Sequence, residues 1–523
     1  MTDPDGYLAR RVLDALLRED YGGLRRCVST APPALRLPGG RVVRLRRDGF
    51  LADHRVDEDV RLDEVLAALR RLADPRDDVR GFVRECHETV ATIRLHAAER
   101  GQVMRRLARS PAYYDVLGAY LDHPVYPTAR CRLGLRADDL RAYAPEFAPT
   151  FRMRWAAVPT GRVTVAGERP GWWPAPAAVG LPTELSATHD VLPVHPLTAQ
   201  LFRCDQAAAR PGVVLAPEPY LDVRPTLSMR TVAVDAATHL KVPLPTSTLG
   251  RRNVRTMVPG TLHDGALVQR VLAAIGAEMA AHGPGAMPVV LADEQTYGHA
   301  ADPLLGYLVR RVPAATAVPV AALLAKTPAG RYVIEELTDD LTGFFEAYLR
   351  ALFDWHVALF AYGVALEAHQ QNVSVLPSAA GLRLMIKDND GALLDPPVLR
   401  LAGADPADVA DRRLLTTDRE AAAKVFVTIT LHLCAGALAF GLAERGLLPL
   451  PTGLRLIRER LAAALDRHDQ AFLRARTLGA DRLPTKAMIT AGTLVEKART
   501  GARDINKHYG PPGPNYLRED QCR

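Results

Sequence analysis

The sequence predicts an α+β protein, and three observations predict it. Residues 1 to about 120 carry apolar positions at three- and four-residue spacing, the period of an amphipathic helix. From about 145 to 260 the pattern changes to short β-type runs separated by prolines and turns. Beyond that the chain returns to helical spacing, broken at Pro449, Pro451 and Pro484. A length of 523 residues exceeds what one core supports, so two or three domains are expected.

Composition narrows the function. The chain is 48% hydrophobic and 24% charged, enough apolar material for sizeable cores. Net charge is +7, but no run of five basic residues occurs, so no nucleic acid is expected as partner. The six cysteines are far apart and never form CxxC, which signals neither a disulfide framework nor a zinc site and fits a reducing, cytoplasmic location. Met1–Asp5 is acidic and lacks the apolar region of a secretion signal. Val425–Leu442 is uncharged over 18 residues, short of a strongly apolar span, and reads as a buried core helix, so no membrane is expected.

Taken in order, helices are expected around Val12–Leu17, Val60–Leu72 and Val79–Arg109, with a β-like passage at Leu35–Leu45 turning at Gly39-Gly40. No site chemistry is expected before residue 120. In Leu121–Gly134, Pro124 and Pro127 fix an extended path. His123, Thr128, Arg130 and Arg132 on such a loop can bind phosphate or carboxylate; a solvated proline loop is the plain alternative. Strand-like runs follow at Arg162–Ala166, Val213–Leu215 and Arg230–Val234, with His195 between Pro193 and Pro196.

Alternation along Arg224–Thr231 puts Thr226, Ser228 and Arg230 on one strand face, a polar stripe that a bound anion would satisfy. Lys241, one of seven lysines in the chain, falls on a neighbouring strand. Thr246, Ser247 and Thr248 lead into an expected helix start carrying Arg251, Arg252 and Arg255, either an anion site or an ordinary cap.

Residues 263–285 and 316–364 read as helices. The segment Leu341–Val364 runs into Glu367-Ala368-His369-Gln370-Gln371-Asn372. Two strand-like runs, Val373–Leu376 and Leu382–Ile386, then lead to Asp388, sixteen residues after Asn372. Carboxylate and amide oxygens can hold Mg²⁺, and His and Gln can reach anionic oxygens, so the set suits a metal–nucleotide site. A polar turn that caps a helix and a hairpin remains the alternative. The sequence has no P-loop, no strand-associated GxGxxG, no HExxH and no GxSxG.

In order, these stretches resemble the IucA/IucC family, the NRPS-independent siderophore (NIS) synthetases. The loop at 123–134 is similar to the family's His-Pro-x-His-Pro-x-x-Lys-x-Arg-x-Gly, with Tyr126 for His and Arg130 for Lys. His195-Pro196 is similar to its His-Pro-Trp-Gln, with Leu197 and Thr198 at the last two positions. Ser228-Met229-Arg230-Thr231 matches Ser-x-Arg-Thr, and Lys241, Thr248 and Arg252 resemble the following Lys…Thr-x-x-x-Arg segment. Glu367-x-His369-x-Gln371-Asn372 matches in full, and Lys387-Asp388 resembles the later Arg-Asp. Lys486 fits the C-terminal region, and Asn515-Tyr516-Leu517 is a weak form of the Asn-Pro-Leu ending.

The resemblance implies a cupped hand: a helical thumb over 1–145, β-rich fingers over 146–305 and a mostly helical, distantly kinase-like palm over 306–523. It implies a ligase that uses ATP and Mg²⁺ to adenylate a carboxylic acid, citrate being favoured. The acyl-adenylate then condenses with an amine, hydroxylamine or alcohol. Ser228, Arg230, Lys241, Thr248, Arg252, His369, Gln371 and Asn372 are the expected ATP contacts; of these, Arg230, Lys241 and His369 are the expected catalytic groups. His123, Thr128, Arg130, Arg252 and His369 are expected at the substrate carboxylate, and Glu367, Asn372 and Asp388 at the metal. The family also implies a homodimer. Two rivals stand: a kinase-like phosphotransferase using residues 367–388, and a binding protein with a decayed site.

Overall fold

The computed structural model describes residues 3–205, 210–282, 289–313, 316–378, 381–502, 504 and 507–518. It is a mixed α+β fold, with helices at both ends of the chain and strands between. Helix Pro4–Arg18 starts with Pro at its first position, and the Asp3 carboxylate accepts the Asp5 and Gly6 N–H groups at 3.1 and 3.0 Å. Leu8, Val12, Leu13 and Leu16 on its buried face pack toward helices Leu62–Leu72 and Val79–Arg106. Beside them lies a four-stranded antiparallel sheet, Val28–Thr30, Pro33–Arg36, Val42–Arg47 and His54–Val56.

The central region is a nine-stranded antiparallel sheet. Its main path runs Val163–Ala166, Asp293–Ala300, Gly306–Arg311, Thr238–Lys241, Thr231–Ala233, Tyr220–Pro225, Phe151–Pro159 and His189–Val194, with Val214–Leu215 also on Phe151–Pro159. The sheet therefore reaches Arg311, past residue 305. Its core is separate, built on Trp155, Leu192, Val232, Leu240 and Tyr307. A second, four-stranded sheet carries the hairpin Val373–Ser378 and Gly381–Ile386, with Val373 opposite Ile386. One large apolar cluster joins the N-terminal helices to helices Leu341–Ala361 and Leu450–Arg467.

Three local expectations are corrected. Residues 226–230 are not a strand but the turn between Tyr220–Pro225 and Thr231–Ala233, with Met229 held at φ +62°. Ser228 and Arg230 thus sit on a turn, not on a strand stripe. Residues 246–255 form no helix; Ser247 bridges to Val254, and the chain folds back through Leu249 and Gly250 at positive φ. Gly250 lies against the Gly492 backbone, where a Cβ would come within 2.8 Å, so only glycine fits there. The helix expected over 316–364 begins as strand Val318–Pro319 and becomes helical at Val333–Leu337 and Leu341–Ala361.

The apolar stretch lies in a continuous helix, Arg419–Glu444, long and apolar enough to cross a membrane, yet 89% of the apolar window is buried inside the protein. Its middle, Phe426–Gly436, has widened turns, with the Ala437 N–H donating to the His432 carbonyl. The Gly/Pro-rich C-terminal segment is strand Tyr509–Pro514, paired with Arg482–Lys486. The Asn515 amide then donates to the carbonyls of Thr477 and Ala480 at 2.8 and 2.6 Å.

Candidate functional site

A cleft of about 700 Å³ opens where the large sheet, the hairpin at 373–386 and the N-terminal helices meet. Most of the expected residues line it: His123, Arg130, Ser228, Arg230, Lys241, Thr248, Glu367, His369, Gln371, Asn372 and Asp388. Thr128 and Arg252 do not.

The 367–372 loop follows helix Leu341–Ala361 and is wound tightly. The His369 N–H donates to the Glu367 carbonyl, and the His369 carbonyl accepts the N–H groups of Asn372 and Val373 at 2.8 and 3.1 Å. The Gln371 N–H reaches His369 Nδ1 at 3.3 Å, so the ring proton sits on Nε2. Burial, then Lys486, pushes the imidazole down to about 4. His123 repeats the device. Its Nδ1 accepts the N–H groups of Val125 and Tyr126 at 3.1 and 3.0 Å, and burial, then His369, pushes it down to about 3. The cleft therefore holds two neutral imidazoles that donate through Nε2.

Asp388 ends the hairpin at φ +66°, in a turn that positions its carboxylate at the junction of the two sheets. Lys241 Nζ and Arg310 Nη2 both donate to its Oδ1, at 2.5 and 2.9 Å. Burial opposes its ionisation, but Lys241 and Arg310 outweigh that and hold the carboxyl well below the usual range. Glu367 is pushed up by burial, which Lys486 at 3.9 Å only partly offsets, and its Oε1 is buried without a hydrogen-bond partner. Among the described residues no three His, Cys, Asp or Glu side chains converge as a metal cluster. Glu367, Asn372 and Asp388 therefore do not make an all-protein cage. They do suit Mg²⁺ arriving with phosphates, which needs only one or two protein carboxylates.

The opposite wall is cationic. Ser228 Oγ accepts the Thr231 N–H at 3.0 Å, which fixes the turn, and Arg230 Nη1 donates to the Thr256 carbonyl at 3.0 Å. Arg252 is turned away, its Nη1 donating to the Ala491 carbonyl at 2.9 Å. Arg255 takes the place expected for it, with Nε on Thr248 Oγ1. The reversal at Gly250 moves the useful arginine three residues on. Burial, then Arg230 and Arg132, pushes Arg255 down to about 9. Neither Arg230 nor Arg255 has a carboxylate within ion-pair distance among the described residues, so this wall calls for a bound anion.

On the thumb side two expectations are corrected. Arg130 is committed to Asp122 through two bonds of 2.7 and 3.1 Å, and its charge is neutralised there. Thr128 is fully buried and donates to Glu85 Oε1 at 2.5 Å. Tyr126, at the position where the family has His, donates to the same oxygen at 2.7 Å, and Thr493 donates to Oε2 at 2.8 Å. Tyr126 and Thr128 are thus core residues. Tyr126→Phe is expected to lower stability by about 1–3 kcal/mol, because Glu85 loses a buried partner; urea unfolding measures it. His195 lies outside the cleft between the rings of Tyr143 and Phe151, each at 5.2 Å.

The sequence reading missed several cleft residues. Arg11 donates through Nη2 to the His123 carbonyl at 2.8 Å and holds that loop from helix Pro4–Arg18. Asn253 also lines the cleft, as do Arg132 and Lys486, which the sequence singles out in the 121–134 loop and the C-terminal region. Arg11 carries no local signal, since an arginine on an amphipathic helix reads as a solvated face.

Residues 116–325 match the model of the IucA/IucC family. The resemblance to the IucA/IucC family is borne out. Residues 342–501 match a second model, described as a ferric iron reductase FhuF-like transporter. The IucA/IucC match contains the His123 loop, the Ser228 turn, Lys241 and Arg255, while Glu367–Asp388 falls in the second segment. Over 416 residues the chain is 26% identical to the uncharacterized protein y4xN of Sinorhizobium fredii, covering 67% of this chain and 66% of that protein's length.

Solved structures share the fold. The petrobactin biosynthesis protein AsbB of Bacillus anthracis superposes with a TM-score of 0.79 at 15% identity, covering 98% of this chain and 95% of that one. The ATP-bound aerobactin synthetase IucA of Klebsiella pneumoniae gives 0.74 at 16% identity, covering 98% and 99%. The aerobactin synthetase IucC of the same organism gives 0.70 at 20% identity, covering 92% and 95%. The fold these structures share thus extends across nearly the whole chain.

Proposed function

We propose that this protein is a cytoplasmic, homodimeric NIS synthetase that adenylates a carboxylic acid with ATP and Mg²⁺ and passes the acyl group to an amine, hydroxylamine or alcohol. Citrate is the favoured acid. The cupped-hand description follows from this reading, with the cleft between thumb, fingers and a distantly kinase-like palm.

One observation carries the proposal. Arg230 and Arg255, with no carboxylate within ion-pair distance among the described residues, face a cleft that also holds two neutral Nε2–H imidazoles and the carboxylates of Glu367 and Asp388. Adenylation needs this combination, because an anionic carboxylate must attack an anionic α-phosphate. The carboxylate oxygen bonds to phosphorus and pyrophosphate leaves. Arg230, Lys241 and Arg255 offset the phosphate charge, with Ser228, Thr248, Gln371 and Asn372 beside them. His369 and His123 donate hydrogen bonds to the acid or the α-phosphate without adding charge that would compete for protons. Mg²⁺, held by Glu367, Asn372 and Asp388, supplies charge neutralisation of the phosphates when bound. Arg130 acts indirectly through Asp122.

Pyrophosphate release from ATP tests the proposal, with citrate, 2-oxoacids and succinyl hydroxamates offered in turn. Acid-dependent release with AMP formation is expected, and Arg230→Ala is expected to abolish it with the fold retained. Release of ADP instead would favour the kinase-like alternative, and ATP binding without acid-dependent release would sink the synthetase reading. The FhuF-like match does not by itself support a reductase. Cys434 is the single cysteine in 342–501, and it is buried with its thiol pushed up by burial.

A further inference from the structure

The widened stretch Phe426–Gly436 touches two separate parts of the cleft wall, and the adenylation chemistry gives it no task. Cys434 Sγ donates to the Ala368 carbonyl at 3.2 Å, inside the loop that carries Glu367 and His369. Two residues earlier, His432 reaches the C-terminal segments. Its Nε2 lies 3.0 Å from the Pro484 carbonyl, and its Nδ1 lies 2.9 Å from the Tyr516 hydroxyl. A carbonyl can only accept, so Nε2 carries the proton. Nδ1 is then bare and accepts from the hydroxyl, which also lies 3.2 Å from the Leu431 carbonyl. Burial pushes the imidazole down to about 4, which keeps it neutral.

The helix has room for that hydroxyl because residue 436 is glycine; a Cβ there would come within 2.7 Å of it. Tyr516 stands where the Asn-Pro-Leu ending that this segment resembles has proline, which has no hydroxyl to give. At the far end of the chain of bonds, Pro484 precedes Lys486 by two residues on strand Arg482–Lys486. Lys486 lines the cleft, and its Nζ lies 3.9 Å from Glu367 Oε1. After burial, its charge is the strongest influence on the protonation of both Glu367 and His369.

We propose that Tyr516 and His432 are positioning residues for Lys486. The hydroxyl sets the imidazole, the Nε2–H holds the Pro484 carbonyl, and the strand so held presents the Lys486 ammonium beside Glu367 and His369. Cys434, from the same stretch, steadies the loop on which those two stand. Buried polar networks of this kind fix one arrangement when every member is satisfied. What the lysine is positioned for rests on the synthetase reading: its charge stands beside the histidine that donates to the acid or the α-phosphate.

The test is acid-dependent pyrophosphate release by the full-length enzyme. His432→Leu is expected to lower kcat about tenfold, the scale on which a misplaced group costs rate, and to leave the KM for ATP within about twofold. His432→Gln, whose amide puts an N–H near the place of Nε2, should recover most of that loss. In a Lys486→Met background His432→Leu should change kcat less than about twofold further, as residues acting through one group require. Equal kcat losses in His432→Leu and His432→Gln, or a full further loss in the Lys486→Met background, overturn the proposal. If His432→Leu does not fold, Tyr516→Phe, which removes a single atom, takes its place in the same cycle, with loss only when Lys486 is present as the expected result. If no acid supports release, the synthetase reading falls and acetylation of Lys486 by sulfosuccinimidyl acetate, read by mass spectrometry, decides the positioning alone. A rate raised about tenfold in Tyr516→Phe supports it, and an unchanged rate sinks it.

Discussion

Replacing His369 with alanine lowers carboxylate-dependent pyrophosphate release by on the order of 10²–10³-fold, the usual cost of removing one donor aimed at developing charge. The variant folds, because the loop is held by backbone bonds from Asn372 and Val373 to the residue 369 carbonyl, which alanine keeps. His369→Gln, which retains an N–H donor, recovers part of the loss. The pH profile separates this role from acid–base catalysis. With His369 at about 4 and His123 at about 3, release shows no acid limb near 6.5. A limb at 6.5 that disappears in His369→Ala would instead make His369 a titrating base. The same shifts affect stability. Both imidazoles are lowered on folding, so the unfolded chain takes up protons first as pH falls below about 6.5. Their contribution is complete above that pH and is lost down to about 4 for His369 and about 3 for His123.

Legibility varied with the range of the interactions. The Glu367–Asp388 unit was readable because helix, loop and hairpin are contiguous, and each part carries its own period. Lys241 was readable because its strand is short and its residue type is rare in this chain. Arg252 was misassigned because spacing along the chain does not report direction. The reversal at Leu249 and Gly250, seated on Gly492 from 242 residues away, decides which arginine faces the cleft. The burial of Thr128 and Tyr126 was hidden for a similar reason. Their partner is Glu85, a buried acid in the second turn of helix Val79–Arg106, a position that periodicity alone assigns to packing. Arg310 and Glu294 were not read at all, since each sits in a strand and acquires meaning only where two sheets meet.

That junction yields the largest expected loss of stability. Arg310→Met should cost about 3 kcal/mol, because it leaves the buried Glu294 and the part-buried Asp388 facing each other without their shared cation. Arg310 is 3% exposed, and its guanidinium donates to Glu294 through Nε and to Asp388 through Nη2 at 2.5 and 2.9 Å. Glu294 also accepts the Asp388 N–H at 2.8 Å, so one acid fixes both the cation and the turn that presents Asp388. Methionine fills the volume but supplies no charge. Glu294 and Asp388 would then repel, and Lys241 alone would hold Asp388. Combining Arg310→Met with Glu294→Gln removes one of the exposed charges and should restore part of the loss, as a coupled pair requires. Neither variant should recover ATP affinity fully, since the Asp388 carboxylate loses its Arg310 partner in both. Urea unfolding of the two variants, with ATP titration by calorimetry, separates the two effects. A cost below about 1 kcal/mol for Arg310→Met would show that Lys241 suffices at the junction, and the triad would then be a packing feature rather than the support of the site.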